Sequence, residues 1–585
     1  MKKKEVILSQ PFSHTNNEPF ARRTISRKVR EESAKIAFLR DHPDHPNNGD
    51  ENDYGNRNYV GNYSKGLPHF DCNDRNDIVN KIGEVKPIAY RRMLRALASG
   101  QPYFFGRIPI GGTRRVVNPQ SGLAFDLEGA DSHALFVPPA PRLDNQEAAG
   151  EMVELYWMAL LRDVNFEDFS TNEHVRAAAE ELSKLPDFKG PKEIVNGQLR
   201  ITQNTIFRGF TRGDRKGPYV SQFLLLGTES DQRPPRHNTD PALNPLTLGY
   251  ITYGSIRIDQ KQRTVLPGDF LKNFEDWLRG EQGINPIRPD DQACGNDYDN
   301  TRRYIRNMRD LANYVHFDDL PQAFWNAALI LQHLERPCEP MPRGPVDVGN
   351  PYVDSRNQDG FATLGDPNIL SLIGEVTTRA LKATWFQKWF VHRRLRPEEF
   401  GALVHKQFSG ISINSDCRVN ANSFDYPFDR EILNPNTSVL YRIFNNPPNS
   451  PSGSYLLPQA YPEGSPLHPS YPAGHAVVAG ACVTILKAYF DESTVIPNPV
   501  KPNSDGVALE HYDGHLTVGD ELDKLASNIS LGRNMAGIHY RSDYEAGLNL
   551  GEEVAIRLLE EQKNNIYNEN FYLNIRRFDG TAITM

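Results

Sequence analysis

Cysteine is scarce in this chain. Five occur among 585 residues, at positions 72, 294, 338, 417 and 482, with no CxxC and no repeated spacing. An odd count spread so widely argues against a disulfide framework, a metal cluster or a thiol nucleophile. Cys482 lies in an apolar helical stretch and reads as a small core residue. Long hydrophobic runs are missing too. The longest clean one, Ala476 to Leu486, falls far short of a membrane span of about 20 residues. The start, Met1-Lys-Lys-Lys-Glu-Val-Ile-Leu, has an apolar stretch too short for a secretory leader. The expectation is a soluble protein with no membrane partner, cytoplasmic by default. Positive charge is not in excess: 66 Lys and Arg against 74 Asp and Glu leave a net charge of −8, which gives no reason to expect nucleic acid. There is no HExxH, Walker loop, GxSxG or GxGxxG pattern. His511 and His515 are four apart, but Gly514 and a turn-like context disfavour a helical zinc face. Asp41-His-Pro-Asp44-His-Pro46 reads as loop.

What is present is helical periodicity. Apolar residues recur at helical spacing over Glu151–Leu161, Asn172–Leu185, Pro321–Leu334, Asn368–Trp389, His475–Phe490 (continuing from a Pro472 start), Asp520–Gly532 and Tyr540–Glu561. Shorter alternating runs over Leu199–Phe223 and Thr247–Val265 predict a few strands or hairpins. The expected fold is mainly α: a helical-bundle core with long Pro/Gly-rich loops and a few short strands. The chain divides into a loop-rich wrap or arm over 1–150, with Asp41–Tyr63 especially loop-like. A helical part with short strands follows over 151–340, then a helical bundle over 341–585, all within one continuous unit.

Three patches in the C-terminal part carry the chemistry. The first is Lys388-Trp-Phe-Val-His-Arg-Arg-Leu-Arg396-Pro397. Eight positions place Lys388 and Arg396 about 80° apart on an ideal helix, so they converge only if the helix ends or bends between them. Arg396 precedes a proline, which disfavours α geometry there. A lysine point charge and an arginine fork can then clamp the oxygens of one anion. In the second patch, Tyr471-Pro472-Ala473-Gly474-His475, a helix start and a side-chain-free Gly474 allow close approach of an anion to a backbone N–H. His475 can exchange a proton with a bound oxygen there. The third patch is Arg533-Asn-Met-Ala-Gly537-Ile-His539-Tyr-Arg-Ser-Asp543. Gly537 can separate two helices, and Asp543, one turn after His539, can hold Nδ1–H and leave Nε2 free as nucleophile or metal ligand. Each patch alone also fits a bland reading: a basic helix end, a Pro-started helix with a surface histidine, or a surface i,i+4 pair. The ordered set points to one tetrahedral or trigonal-bipyramidal oxyanion between two histidines.

This order of patches resembles the vanadium-dependent haloperoxidases, which share fold and site with acid phosphatases. The resemblance to the algal and cyanobacterial bromoperoxidase branch rests on Gln387-Lys388-Trp389…Arg396-Pro397, His468-Pro-Ser-Tyr-Pro-Ala-Gly-His475 and Gly532-Arg533-Asn-Met-Ala-Gly-Ile-His539, and covers residues 365–560. It implies that His539 ligates vanadium as vanadate, with Lys388, Arg396 and Arg533 neutralising its oxygens and the Gly474 amide and position 473 beside them. His475 would act as acid/base. It implies a peroxidase that oxidises bromide, with chloride and iodide open, using hydrogen peroxide, to give hypohalous acid for organic acceptors. It also implies homo-oligomers built from dimers, and a structural calcium ahead of the lysine helix, for which Asp354-Ser-Arg-Asn357-Gln-Asp359 is the candidate. His468 matches the bromoperoxidase histidine of the halide pocket, whereas Trp385 looks like the chloroperoxidase tryptophan. The family usually has serine where this chain has Ala473. The Lys388–Arg396 step is one residue longer than the phosphatase pattern, and Gly532 replaces the serine phosphatases commonly carry there. The alternatives are an acid phosphatase in which His539 becomes phosphorylated, and a non-catalytic oxyanion-binding oligomer.

Overall fold

A computed structural model describes residues 19–43, 60–74, 81–126, 131–228, 249–284, 298–334, 344–414, 417–445, 453–567 and 569–585. Its longer helices are α1 (Pro19–Leu39), α2 (Pro87–Ser99), α3 (Gln146–Leu160), α4 (Glu173–Lys184), α5 (Met308–Phe317), α6 (Gln322–His333), α7 (Asp366–Phe386), α8 (Pro397–Ser409), α9 (Gly474–Tyr489), α10 (Val518–Met535) and α11 (Arg541–Glu561). Every helix expected from periodicity forms, with its ends moved by at most three residues, except that α3 begins at Gln146, five residues before the expected Glu151. The mainly α fold is therefore present. Four of these helices, α1, α2, α5 and α8, form where no helical run was expected. In one of them, α1, no side chain is buried.

Strands among the described residues pair as two-stranded antiparallel ribbons. In the Thr247–Val265 run, Tyr250–Tyr253 pairs with Ile256–Asp259, register Tyr250↔Asp259 to Tyr253↔Ile256. Leu199–Phe223 is a correction: only Gln198–Arg200 is strand there, paired with Glu193–Val195, and the rest is turns and 3₁₀ pieces. Its backbone is satisfied locally by side chains, as where Thr211 and Asp214 bond each other's N–H.

α9 and α11 form the centre, with α7 and α10 packed on α9. α9 is apolar on all sides and buries every residue except His475. Small residues set the close approach. A Cβ on Gly551 would lie 2.0 Å from the Val477 carbonyl oxygen, and one on Gly480 2.2 Å from that of Leu548. Pro472 stands just outside this helix, because α9 begins at Gly474 with Ala473 as its N-cap. Among the described residues, no helix is long and apolar enough to cross a membrane.

The expectation about cysteines needs correction. Cys72 and Cys417 form a disulfide across 345 residues of sequence, while Cys482 is free and buried. Cys294 and Cys338 lie outside the described residues. The pairing comes from tertiary proximity, which spacing along the chain does not encode. Because the bridge closes so long a loop, Cys72→Ser is expected to cost about 2–5 kcal/mol. Urea unfolding with and without reductant checks this: reduction should destabilise the wild type and leave the variant unchanged.

Candidate functional site

α7 does not end cleanly. At Gln387–His392 it widens into a π turn, and Arg393 then takes a left-handed conformation (φ 42°). The chain leaves the helix there, and Arg396 becomes the N-cap of α8, with Pro397 behind it. This break brings Lys388 and Arg396 to one place. The carboxylate of Glu399 accepts the Arg396 backbone N–H at 2.6 Å. The second patch approaches as an extended loop into the start of α9. The third arrives through Gly537, whose φ of 87° ends α10 and aims His539 back at the other two patches.

Lys388 Nζ donates to the carbonyl oxygens of Pro469 (2.7 Å) and Ser470 (2.6 Å). Arg396 donates from Nε to the His468 carbonyl (2.8 Å), and from Nη1 to the Ile538 carbonyl (3.1 Å) and His539 Nε2 (3.0 Å). Its Nη2 donates to His468 Nδ1 at 2.9 Å. Arg533 Nη1 donates to the Val315 carbonyl at 2.8 Å. These three cations are buried, and none has an ion-pair partner among the described residues. Their acceptors are neutral. Burial, with the charges of Arg396 and Arg533, holds the Lys388 ammonium well below the ordinary lysine value. Burial likewise pulls the Arg396 guanidinium down to about 10. Arg533 Nε is buried without a hydrogen-bond partner among the described residues. A donor set of this charge, with an orphaned N–H, fits a multiply charged oxyanion.

His539 has its own support. Its Nδ1–H is held by Asp543 Oδ2 at 2.8 Å, so Nε2 carries the lone pair and accepts from Arg396. Burial and the charges of Arg396, Lys388 and Arg533 keep this imidazole neutral by lowering its pKa well below the ordinary histidine value. Asp543 is itself anchored by Ser470 Oγ (2.5 Å) and Arg394 Nη1 (2.8 Å), and Arg394 reaches on to Glu151 at 2.9 Å. His475 Nε2 lies 3.0 Å from Asp318 Oδ1. Burial pushes the Asp318 carboxyl up, but His475 and then Arg533 more than offset it and hold it below the usual range.

Trp385 and His468 form one wall, with ring centroids 4.8 Å apart. A Cβ on Gly474 would stand 3.5 Å from the Trp385 ring, so the indole covers the start of α9. Burial, then Arg396 and Lys388, holds the His468 imidazole well below its ordinary pKa, so it stays neutral beside the cations. The structure thus brings together Lys388, Arg396, His468, His539 and Asp543 by direct contacts or shared carbonyl loops, and sets Trp385 and Gly474 against them, while Arg533 bonds the Val315 carbonyl and acts on Lys388, Arg396 and His539 through its charge. Ala473 is buried and donates its N–H to the Asp543 carbonyl at 3.0 Å. Sequence reasoning missed Ser470, Arg394 and Asp318. Ser470 and Arg394 lie inside motifs already singled out, whereas Asp318 comes from the end of α5 and carries no local signal. His511 sits on a short strand, Leu509–His511, with His515 in the loop beyond, so they share no helical face. The Asp354–Asp359 segment is a bend in which Ser355 Oγ accepts the Gln358 N–H. No group of three or more metal-ligating His, Cys, Asp or Glu occurs among the described residues.

A helical bundle holding buried cations, a carboxylate-supported neutral histidine and a helix N-terminus defines an oxyanion-binding site. Comparison gives the family. Residues 453–568 match the VCPO second helical-bundle domain. The chain is 36% identical to the vanadium-dependent bromoperoxidase of Corallina officinalis, over 92% of each chain. It is 32% identical to that of Ascophyllum nodosum, covering 91% of this chain and 87% of the relative. A homohexameric structure of the second vanadate-dependent bromoperoxidase of A. nodosum superposes with a TM-score of 0.79 at 26% identity, covering 100% of this chain and 94% of that one. The chain belongs to the vanadium-dependent haloperoxidase family, among the bromoperoxidases.

Proposed function

We infer that this protein is a vanadate-dependent haloperoxidase that oxidises bromide with hydrogen peroxide to hypobromous acid, which halogenates organic acceptors. The observation that carries the reading is the set of three buried cations, without carboxylate partners among the described residues, around a neutral, lone-pair-bearing His539 Nε2. His539 Nε2 would ligate vanadate, with Lys388, Arg396, Arg533 and the Gly474 N–H holding its oxygens. Bound there, vanadate supplies a Lewis-acid centre that activates peroxide toward halide. His475, oriented by Asp318, holds or releases a proton at the ring nitrogen facing away from that carboxylate. Trp385 and His468 provide a desolvating wall for the halide.

The overall reaction takes up one proton for each hypohalous acid released from bromide and peroxide, and His475, less buried than His539, is the group placed to pass it. A homo-oligomer, a structural calcium at Asp354–Asp359 and chloride use at Trp385 belong to the same reading. The exposed apolar residues Phe20, Phe38 and Leu39 of α1 are available for subunit contact. The Cys72–Cys417 bridge favours an oxidising compartment over the cytosol.

The test is purified protein given vanadate, peroxide, bromide and a phenolic acceptor, with metal analysis and solution mass on the same sample. Vanadate-dependent bromination is expected. Phosphate-ester hydrolysis without bromination would hand the site to the phosphatase reading, and the chloride-only repeat tests Trp385. Ala473→Ser is expected to tighten vanadate about ten- to a hundredfold, the worth of one hydrogen bond to a charged group (about 1.5–3 kcal/mol). If the new hydroxyl caps α9 instead, the melting temperature rises and the vanadate affinity does not.

A further inference from the structure

The chain is acidic overall, yet one segment runs strongly the other way. From Val85 to Phe125 there is no Asp or Glu, and there are seven Lys or Arg residues. Lys86 pairs with Asp74. The guanidinium groups of Arg91, Arg92, Arg95, Arg107 and Arg115 are exposed, and none has an ion-pair partner among the described residues. Two of them lie over exposed or half-buried rings, Arg107 3.5 Å from the Tyr103 centroid and Arg95 4.4 Å from that of Phe104. Such an arrangement keeps charge facing water instead of neutralising it.

This segment lies against the halide wall. The Val117 carbonyl accepts the Trp385 indole N–H at 2.9 Å, and the Val117 N–H donates to the Leu467 carbonyl, next to His468, at 2.8 Å. A Cβ on Gly122 would meet the Trp385 carbonyl oxygen at 2.8 Å. Arg114 donates to the Glu463 carbonyl, and the Glu463 carboxylate is taken by His316 at 2.7 Å. The buried face of α2 packs in one cluster with Trp389, the residue after Lys388.

We propose that residues 85–125 form a cationic apron that concentrates halide at the Trp385–His468 wall, against the net negative charge of the rest of the chain. The inference rests on the haloperoxidase reading for its purpose, but its physical content is independent of turnover. Charges at an opening raise the local concentration of a small counter-ion, and the effect fades once the screening length falls below their distance.

The experiment uses iodide as an anionic quencher of Trp385, with acrylamide as a neutral one. Trp157, Trp277 and Trp389 are buried, so a Trp325→Phe background leaves Trp385 as the indole open to solvent. At about 50 mM ionic strength, held constant with sodium acetate, Arg115→Glu is expected to lower the iodide quenching constant about two- to threefold. The triple reversal Arg91→Glu/Arg92→Glu/Arg95→Glu should lower it further. Acrylamide quenching should not change, and about 0.5 M salt should erase the difference. In turnover, the same variants should raise the KM for bromide by a similar factor and leave the KM for neutral peroxide alone. Lys184→Glu, on α4, is the charge-matched control and should move neither. An iodide-to-acrylamide ratio that is the same in wild type and reversal variants would overturn the apron. A wild-type protein that quenches as expected but never brominates would overturn the functional reading instead.

Discussion

His539→Ala is expected to abolish specific vanadate binding and to lower bromide oxidation at least about 10³-fold, the upper range for loss of one group that holds the charge of a transition state. The size follows from how this imidazole is kept. Its Nδ1–H is fixed by Asp543 at 2.8 Å, and Asp543 in turn is fixed by Arg394 and Ser470. The lone pair on Nε2 is therefore aimed before any ligand arrives. Removing the ring removes a preorganised ligand and leaves Asp543 held by Arg394, Ser470 and the Tyr540 N–H. Asp543→Asn should fall between wild type and His539→Ala, losing about 10–100-fold in vanadate affinity, because an amide of the same shape no longer orients the ring as a carboxylate does. Equilibrium dialysis of vanadate, with circular dichroism to confirm folding, checks both. A folded His539→Ala protein that binds vanadate within about threefold of wild type would place the ligand elsewhere.

The outer helices of the bundle were legible because each buries an apolar face that periodicity records directly, whereas α9, apolar on all sides, shows as an unbroken apolar run. Asn172–Leu185 and Pro321–Leu334 match α4 and α6 to within a residue at each end. The convergence of Lys388 and Arg396 was half legible. Arg396-Pro397 signals an end to the helix, but the π turn at Gln387–His392 and the left-handed Arg393 depend on tertiary packing of Trp389 against Tyr63 and carry no local code. The His539–Asp543 bond was legible from i,i+4 spacing. Asp318 was not, since it comes from α5, 157 residues before its partner His475. Arg394 looked like part of an ordinary basic helix end, and only the fold shows it buried between Glu151 and Asp543. The Cys72–Cys417 bridge was misread for the same reason: nothing along 345 residues marks two segments that will meet.

Lys388→Met should produce the other large effect, and its pH dependence is diagnostic. Lys388 is fully buried, its ammonium rests on two neutral carbonyls, and burial with Arg396 and Arg533 presses its pKa well below the ordinary 10.5. In the absence of an anion the unfolded chain binds this proton more tightly than the folded one. Between the depressed value and 10.5, stability of the anion-free protein therefore rises with pH, since the unfolded state holds more protons there. Anion binding does the opposite: it needs the ammonium, so affinity is greatest below the depressed pKa and declines as pH climbs through it, earlier than an ordinary lysine would allow. The methionine variant removes the proton and leaves the length of the side chain. Its affinity for phosphate or vanadate at neutral pH should drop about 10²-fold, in the range found for loss of one charge-stabilising donor. Its alkaline decline in affinity, and the rise in stability over the same window, should both flatten. Calorimetric titration of phosphate and thermal melts at stepped pH, wild type beside variant, measure the two slopes. Wild-type affinity that stays level until the ordinary lysine range would mean that Lys388 is not part of the anion's cage.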